Sequence, residues 1–197
     1  MKSIRKLAMV AALALCALPS LAAAPAPAKA TLVEMKTTEG TIVIELNAEK
    51  APVTVANFLQ YVKDGFYDGL IFHRVISNFM IQGGANKPDM TMKEPRASII
   101  NEAKNGLKNE AGTIAMARTS DPNSAGSQFF INLANNASLD YPSPDGHGYA
   151  VFGKVVSGFD VVQKIGKVKT GYAGYTPDVP KVPVIITSAV VLPATTK

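Results

Sequence analysis

Tryptophan is absent from this 197-residue chain, cysteine occurs once and histidine twice. A single cysteine, Cys16, closes no intrachain disulfide. Zinc sites of the Cys-x-x-Cys or His-Glu-x-x-His kind lack their ligands. A Ser-His-Asp hydrolase would have to use His73 or His147, and no Gly-x-Ser-x-Gly elbow is present to hold a serine. Gly83-Gly84 is not followed by Gly-Lys-Ser/Thr, so it is not a phosphate loop. No apolar run reaches the roughly 17–25 residues that cross a bilayer. Leu7 to Leu18 has 12, and no later segment is long enough.

That short run has flanks of its own. Lys2, Arg5 and Lys6 precede it, Pro19-Ser20 follows, and small residues offer cleavage after Ala22, Ala24 or Ala30. This is the three-part pattern of a secretory signal peptide. Cys16 follows Leu15 and precedes more apolar residues, unlike a lipoprotein cysteine at the end of the run. Residues 1–30 are therefore expected to be a signal peptide with a short spacer around Pro25 and Pro27. The exported protein would begin between Ala23 and Thr31, without cysteine and without a membrane anchor.

The chain carries 20 Lys+Arg against 15 Asp+Glu, a formal charge of +5. Lys2, Arg5, Lys6 and Lys29 lie within residues 1–30, which hold no acid, leaving 16 cations against 15 anions. No basic stripe survives, so nucleic acid is not an expected partner. Residues 31–197 fit a single domain with a real core.

Thr31 to Met35 and Thr41 to Leu46 read as strands around a Thr38-Glu39-Gly40 turn. Pro52 suits a helix start and Gly65 its end, with Val55, Phe58, Leu59 and Val62 on one face. Leu70 to Ile76 and Phe79 to Gln82 read as strands about a turn at Ser77-Asn78. Asn86 to Asn109 reads mostly as loop. Gly112 to Ala117, Gln128 to Leu133, Ala150 to Val156 and Pro183 to Leu192 complete the strands. Asn135 to Gly148 reads as another long loop. A short second helix is expected between Gly158 and Gly166. Many short strands and two helices point to a closed or nearly closed β architecture.

Period-2 alternation puts Phe72, Arg74 and Ile76 on one strand face, and Met80 and Gln82 on one face of the next. A cation emerging from an apolar face needs a partner or a purpose. Gly126 to Asn132 again sets polar donors beside aromatics. Such a surface suits an uncharged ligand with a ring and a carbonyl. Each residue also has an ordinary reading. Arg74 could form a surface ion pair, Phe79, Met80, Phe130 and Leu139 could be plain core, and Gln128 could pin a loop. His73 points away from Arg74, as a core or loop-bonded imidazole would, and His147 reads as solvated.

In order and spacing, Phe72 to Gly84, Gly126 to Asn132, Gly112 to Arg118 and Val151 to Val155 resemble the signature segments of the cyclophilins. These are peptidyl-prolyl cis-trans isomerases. The likeness covers nearly all of residues 31–197, and Met116 to Thr119 is most similar to bacterial periplasmic members. It implies a mainly β fold, a closed eight-stranded antiparallel barrel capped by two α-helices. It implies Arg74 as the catalytic residue. Phe79, Met80, Phe130 and Leu139 would line the proline pocket, with Tyr149 as an aromatic wall. Gln82, Gln128 and the backbone at Ala117 and Arg118 would hold the peptide. Ser138 stands where well-known cytosolic members carry a tryptophan, eight residues after the pocket phenylalanine. The implied role is isomerisation of X-Pro bonds in exported, partly folded polypeptides. The protein would act as a monomer in the periplasm, with no cofactor or metal. A non-catalytic proline-peptide-binding chaperone on the same barrel is the alternative.

Overall fold

The computed structural model describes residues 31–143 and 145–193. The expected signal peptide lies outside them. β1 (Thr31–Thr37) and β2 (Gly40–Leu46) form a hairpin in continuous register, Thr31 opposite Leu46 and Thr37 opposite Gly40. The Thr37 hydroxyl closes the turn by donating to the Gly40 carbonyl and accepting from the Glu39 amide. β3 (Phe72–Ile76), β4 (Met80–Gly83), β5 (Thr113–Met116), β6 (Phe129–Asn132), β7 (Val151–Ser157) and β10 (Ile186–Val191) complete one antiparallel sheet. Its order is β10-β1-β2-β7-β5-β6-β4-β3.

The curled sheet nearly closes on itself. Ile186 donates to the Leu70 carbonyl, Phe72 donates to the Val184 carbonyl, and Ile71 bridges Ile185. These contacts sit at the entrances to β3 and β10, and Pro183 has no N–H with which to lengthen the ladder. The expected closed barrel is therefore a curled eight-stranded sheet with a short seam. A second sheet, β8 (Thr170–Ala173) with β9 (Thr176–Pro180), lies against β3. No periodic apolar pattern announced that hairpin.

α1 (Pro52–Lys63) opens with proline at its first turn, where a missing N–H costs nothing. Two of its free amides are satisfied from far along the chain. Val53 and Thr54 donate to the two carboxylate oxygens of Glu102, at 3.1 and 2.8 Å. Val55, Phe58 and Val62 are buried as the spacing predicts, joined by Tyr61, while Leu59 is only partly buried. α2 (Phe159–Ile165) packs near β2. Its N-cap, Gly158, has φ 80°, and a Cβ there would collide with the Thr41 carbonyl.

The barrel interior is aromatic. Phe129 meets Phe58, Tyr67 and Phe72 edge to face, at centroid distances of 5.8, 5.5 and 6.1 Å. The strands nearest the site put their other faces outward. On β6, Phe129 and Ile131 enter the core while Phe130 faces out. On β5, Ile114 and Met116 enter while Ala115 faces out. β3 departs from simple alternation. A bulge between Phe72 and Arg74 shifts the register. Phe72 and Val75 both join the inner core, while Arg74 and Ile76 lie on the outer face. The expectation that Phe72 shares a face with Arg74 is thereby corrected. The extra bulged residue consumes the alternation that would have placed them together.

Candidate functional site

Four strands deliver one row of side chains. Arg74 on β3 pairs with Gln82 on β4, Gln82 with Phe130 on β6, and Phe130 with Ala115 on β5. The adjoining outward positions are Ile76 and its partner Met80. The row ends beside the loop after β6, where a 3-10 turn at Ala137–Leu139 brings in Leu139, and Tyr149 follows before β7. Arg74, Phe79, Met80, Gln82, Ala117, Arg118, Phe130, Leu139 and Tyr149 surround one open cavity of about 300 Å³. Gln128 lies in an adjacent cavity of about 280 Å³, which shares Gln82, Ala117 and Arg118. All ten residues picked from sequence thus converge on two adjoining hollows.

The polar residues are wired to one another. Arg74 Nη1 donates to Gln82 Oε1 at 3.4 Å, and Gln82 Nε2 donates to Gln128 Oε1 at 3.0 Å. Gln128 is placed by its predecessors. Tyr67, fully buried, donates its hydroxyl to the Ser127 carbonyl at 3.0 Å, and Asn57 Nδ2 donates to the Gly126 carbonyl. Burial pushes the Tyr67 phenol well above its ordinary range, so it stays a donor at all working pH values. Gly84 permits the close approach that follows β4. Its φ is 91°, and a Cβ there would lie 2.7 Å from the Ser127 carbonyl. Ala117 donates its own amide to the Gln128 carbonyl. Its carbonyl, not its N–H, is what it can offer a ligand.

Arg74 is not the isolated cation the sequence suggested. Asp178 on β9 brings a carboxylate oxygen 4.0 Å from Arg74 Nε. Both side chains are well exposed, so the pair is weak. The hairpin that carries Asp178 gave no sequence signal. His73, on the inner side of β3, is buried, and its Nδ1 has no hydrogen-bond partner among the described residues. Burial first, and the Arg74 charge second, pull its pKa down to about 4. It is a neutral core residue at pH 7. His147 is exposed.

Sequence reasoning missed the network behind the pocket. Asn136, buried, donates through Nδ2 to the Phe79 carbonyl at 2.8 Å and to Asn132 Oδ1 at 2.7 Å. Asn132 Nδ2 donates to Asn109 Oδ1 and to the Thr113 hydroxyl, and Asn109 donates to Asp140 Oδ1 through its backbone amide and Nδ2. This chain ties the turn carrying Leu139 to the strands carrying Met80 and Phe130. The density of asparagine over Asn132 to Asn136 was the available signal. Buried amides must be paired.

The family model for cyclophilin-type peptidyl-prolyl cis-trans isomerases (CLD) matches residues 32–191. A peptidyl-prolyl cis-trans isomerase of Streptomyces antibioticus is 58% identical over 162 residues, 81% of this chain and 98% of that protein. Peptidyl-prolyl cis-trans isomerase B of Escherichia coli K12 is 53% identical over 81% of this chain and 99% of its own length. Peptidyl-prolyl cis-trans isomerase A of Dickeya dadantii is 48% identical over 184 residues, 93% of this chain and 96% of its own, a span that reaches into residues 1–30. Among solved structures, a Cryptosporidium parvum cyclophilin-type isomerase superposes with a TM-score of 0.71 at 28% identity. It covers 83% of this chain and 98% of that one. A second structure of it, obtained in the presence of the dipeptide Ala-Pro, gives 0.69 at 28% identity over 82% and 99% of the two chains.

Proposed function

We propose that this chain, which belongs to the cyclophilin-type peptidyl-prolyl cis-trans isomerase family, rotates X-Pro peptide bonds in polypeptides that fold after export. The observation that carries the reading is the row Arg74–Gln82–Phe130. It sets a guanidinium at the edge of an apolar hollow of about 300 Å³. A proline ring fits among Phe79, Met80, Phe130 and Leu139. The substrate chain runs past Gln82, Gln128 and the Ala117 carbonyl into the adjoining hollow.

The chemistry needs no nucleophile. Twisting the peptide bond breaks its resonance at a barrier of about 18–20 kcal/mol. Unaided X-Pro exchange therefore takes tens to hundreds of seconds. In the twisted state the proline nitrogen becomes pyramidal and gains a lone pair. A donor aimed there stabilises the transition state more than the planar ground state. Arg74, steadied by Gln82, is that donor. Reaching ~1,000 turnovers per second from such a background needs roughly 6 kcal/mol, which one or two charge-assisted hydrogen bonds and a held geometry can supply.

Export is the second half of the reading. The basic start, the 12-residue apolar run and the small residues after it support cleavage before Thr31 and a periplasmic location. The Dickeya protein's likeness extends into the same region. The near-balanced charge after residue 30 leaves no basic stripe for nucleic acid, which supports unfolded polypeptides as the partner. Two-dimensional NMR exchange on an Ala-Pro peptide tests the activity. Cross-peaks between cis and trans resonances at catalytic protein concentration are expected, and their absence with folded protein contradicts it. Mass spectrometry of the protein from its host tests export. A first residue between Ala23 and Thr31 is expected, and an intact Met1 start contradicts it.

A further inference from the structure

Arg118 lines both hollows, yet its side chain is only 3% exposed and its donors are taken up by other residues of the chain. Nε donates to the Gly148 carbonyl at 3.0 Å, Nη1 to the Thr119 carbonyl at 2.9 Å, and Nη2 to Asp145 Oδ2 and Oδ1 at 2.7 and 2.9 Å. The guanidinium lies 4.5 Å from the centroid of the Tyr149 ring. Tyr149 in turn meets Phe130 nearly perpendicularly at 5.7 Å and donates its amide to the Leu139 carbonyl. Arg118 therefore touches the residue before Tyr149 by a hydrogen bond and Tyr149 itself by its ring.

We propose that Asp145 is a positioning residue, which locks the Arg118 guanidinium beneath Tyr149 and so fixes the aromatic wall of the proline pocket. The proposal rests on the isomerase reading above. A nearly buried guanidinium needs a fixed counter-charge, and Asp145 is the only carboxylate in ion-pair contact with it among the described residues. The hydrogen bond from Arg118 also holds the Asp145 carboxyl below its ordinary pKa. Without that carboxylate Nη2 loses both of its bonds, only the Gly148 and Thr119 carbonyls still hold the planar fork, and the backing of Tyr149 loosens. The wall grips the ring in ground and transition states alike. Its loss belongs in KM rather than in kcat.

The test compares wild type, Asp145→Asn, Asp145→Glu, Arg118→Met and the Arg118→Met/Asp145→Asn double variant. An Ala-Pro peptide is titrated by NMR, giving Kd, KM and kcat from one sample. Asp145→Asn is expected to raise Kd and KM about fivefold with kcat within twofold. Asp145→Glu should recover most of the loss, and the double variant should be no worse than Arg118→Met. A purely structural role would instead lower kcat as the folded fraction falls, with KM unchanged. That result, or additive effects in the double variant, overturns the proposal. If the wild type binds the peptide without exchanging it, the isomerase reading fails and the Kd values alone decide the role of Asp145. If it neither binds nor exchanges, both fall.

Discussion

Asn136 reaches back 57 residues to donate its side-chain amide to the carbonyl of Phe79, 2.8 Å away. Phe79 is also held by the amide of Leu133, which donates to the same oxygen at 2.9 Å. The carbonyl of Asn136 accepts from the amide of Leu139. One buried asparagine thus couples two apolar walls of the pocket, from different segments, to one another.

Replacing Asn136 with leucine should cost roughly 2–3 kcal/mol of stability, because Asn132 Oδ1 is left buried with its donor removed. KM for X-Pro peptides should rise in the folded fraction. Urea denaturation followed by circular dichroism measures the first and NMR exchange the second. A variant as stable as wild type would show that the network is dispensable.

His73 makes stability depend on pH with a definite sign. Its folded pKa of about 4 lies below the ordinary 6.5, so the unfolded chain takes up the proton first as pH falls. The stabilisation from keeping it neutral is complete above about 6.5 and is lost progressively down to about 4. At 1.36 kcal/mol per pH unit, the loss over this window is on the order of 3 kcal/mol. His73→Phe should flatten the decline of the urea midpoint between pH 7 and pH 4.5 relative to wild type. Parallel declines in the two proteins would show that His73 does not govern it.

Much of this architecture can be read from local pattern. Pro52 and Gly65 bracket α1 closely, and the apolar positions of β5 and β6 fall on the faces that alternation assigns. Six of the ten site residues, Arg74, Phe79, Met80, Gln82, Gln128 and Phe130, sit in two short segments whose composition is unusual, which is why the family likeness marks them. Local pattern fails where distant segments supply the partner. Glu102 caps α1 from 48 residues away, Asp178 approaches Arg74 from a hairpin with no periodic signal, and Asp145 joins Arg118 across a loop. It fails again at the β3 bulge, where a one-residue shift moves Phe72 to the inner core.

Ser138 is exposed in the 3-10 turn that carries Leu139. It offers neither the flat wall nor the indole donor of the tryptophan that the family resemblance implies for well-known cytosolic members at this position. Cyclosporin, the inhibitor that the cyclophilin resemblance implies for this pocket, should therefore bind weakly, and Ser138→Trp should tighten binding by about two decades, as a hot-spot contact does. Turnover should change less, because Ser138 is not among the residues around the cavity that takes the proline ring. Titration with the drug, read by residual isomerase activity, decides this. Nanomolar inhibition of the unmodified protein, or no gain in Ser138→Trp, would remove Ser138 from that role.

Turnover of Arg74→Ala and Arg74→Lys reports whether Arg74 stabilises the twisted X-Pro bond. The Arg74 side chain is exposed at the cavity edge, so the fold should persist, as circular dichroism can verify. Lysine keeps the charge but loses the planar fork that meets Gln82. Both variants should lose at least about tenfold in kcat/KM, or at least 1.4 kcal/mol of transition-state stabilisation. A folded Arg74→Ala protein that isomerises X-Pro peptides at the wild-type rate would show that the guanidinium does not act on the twisted bond.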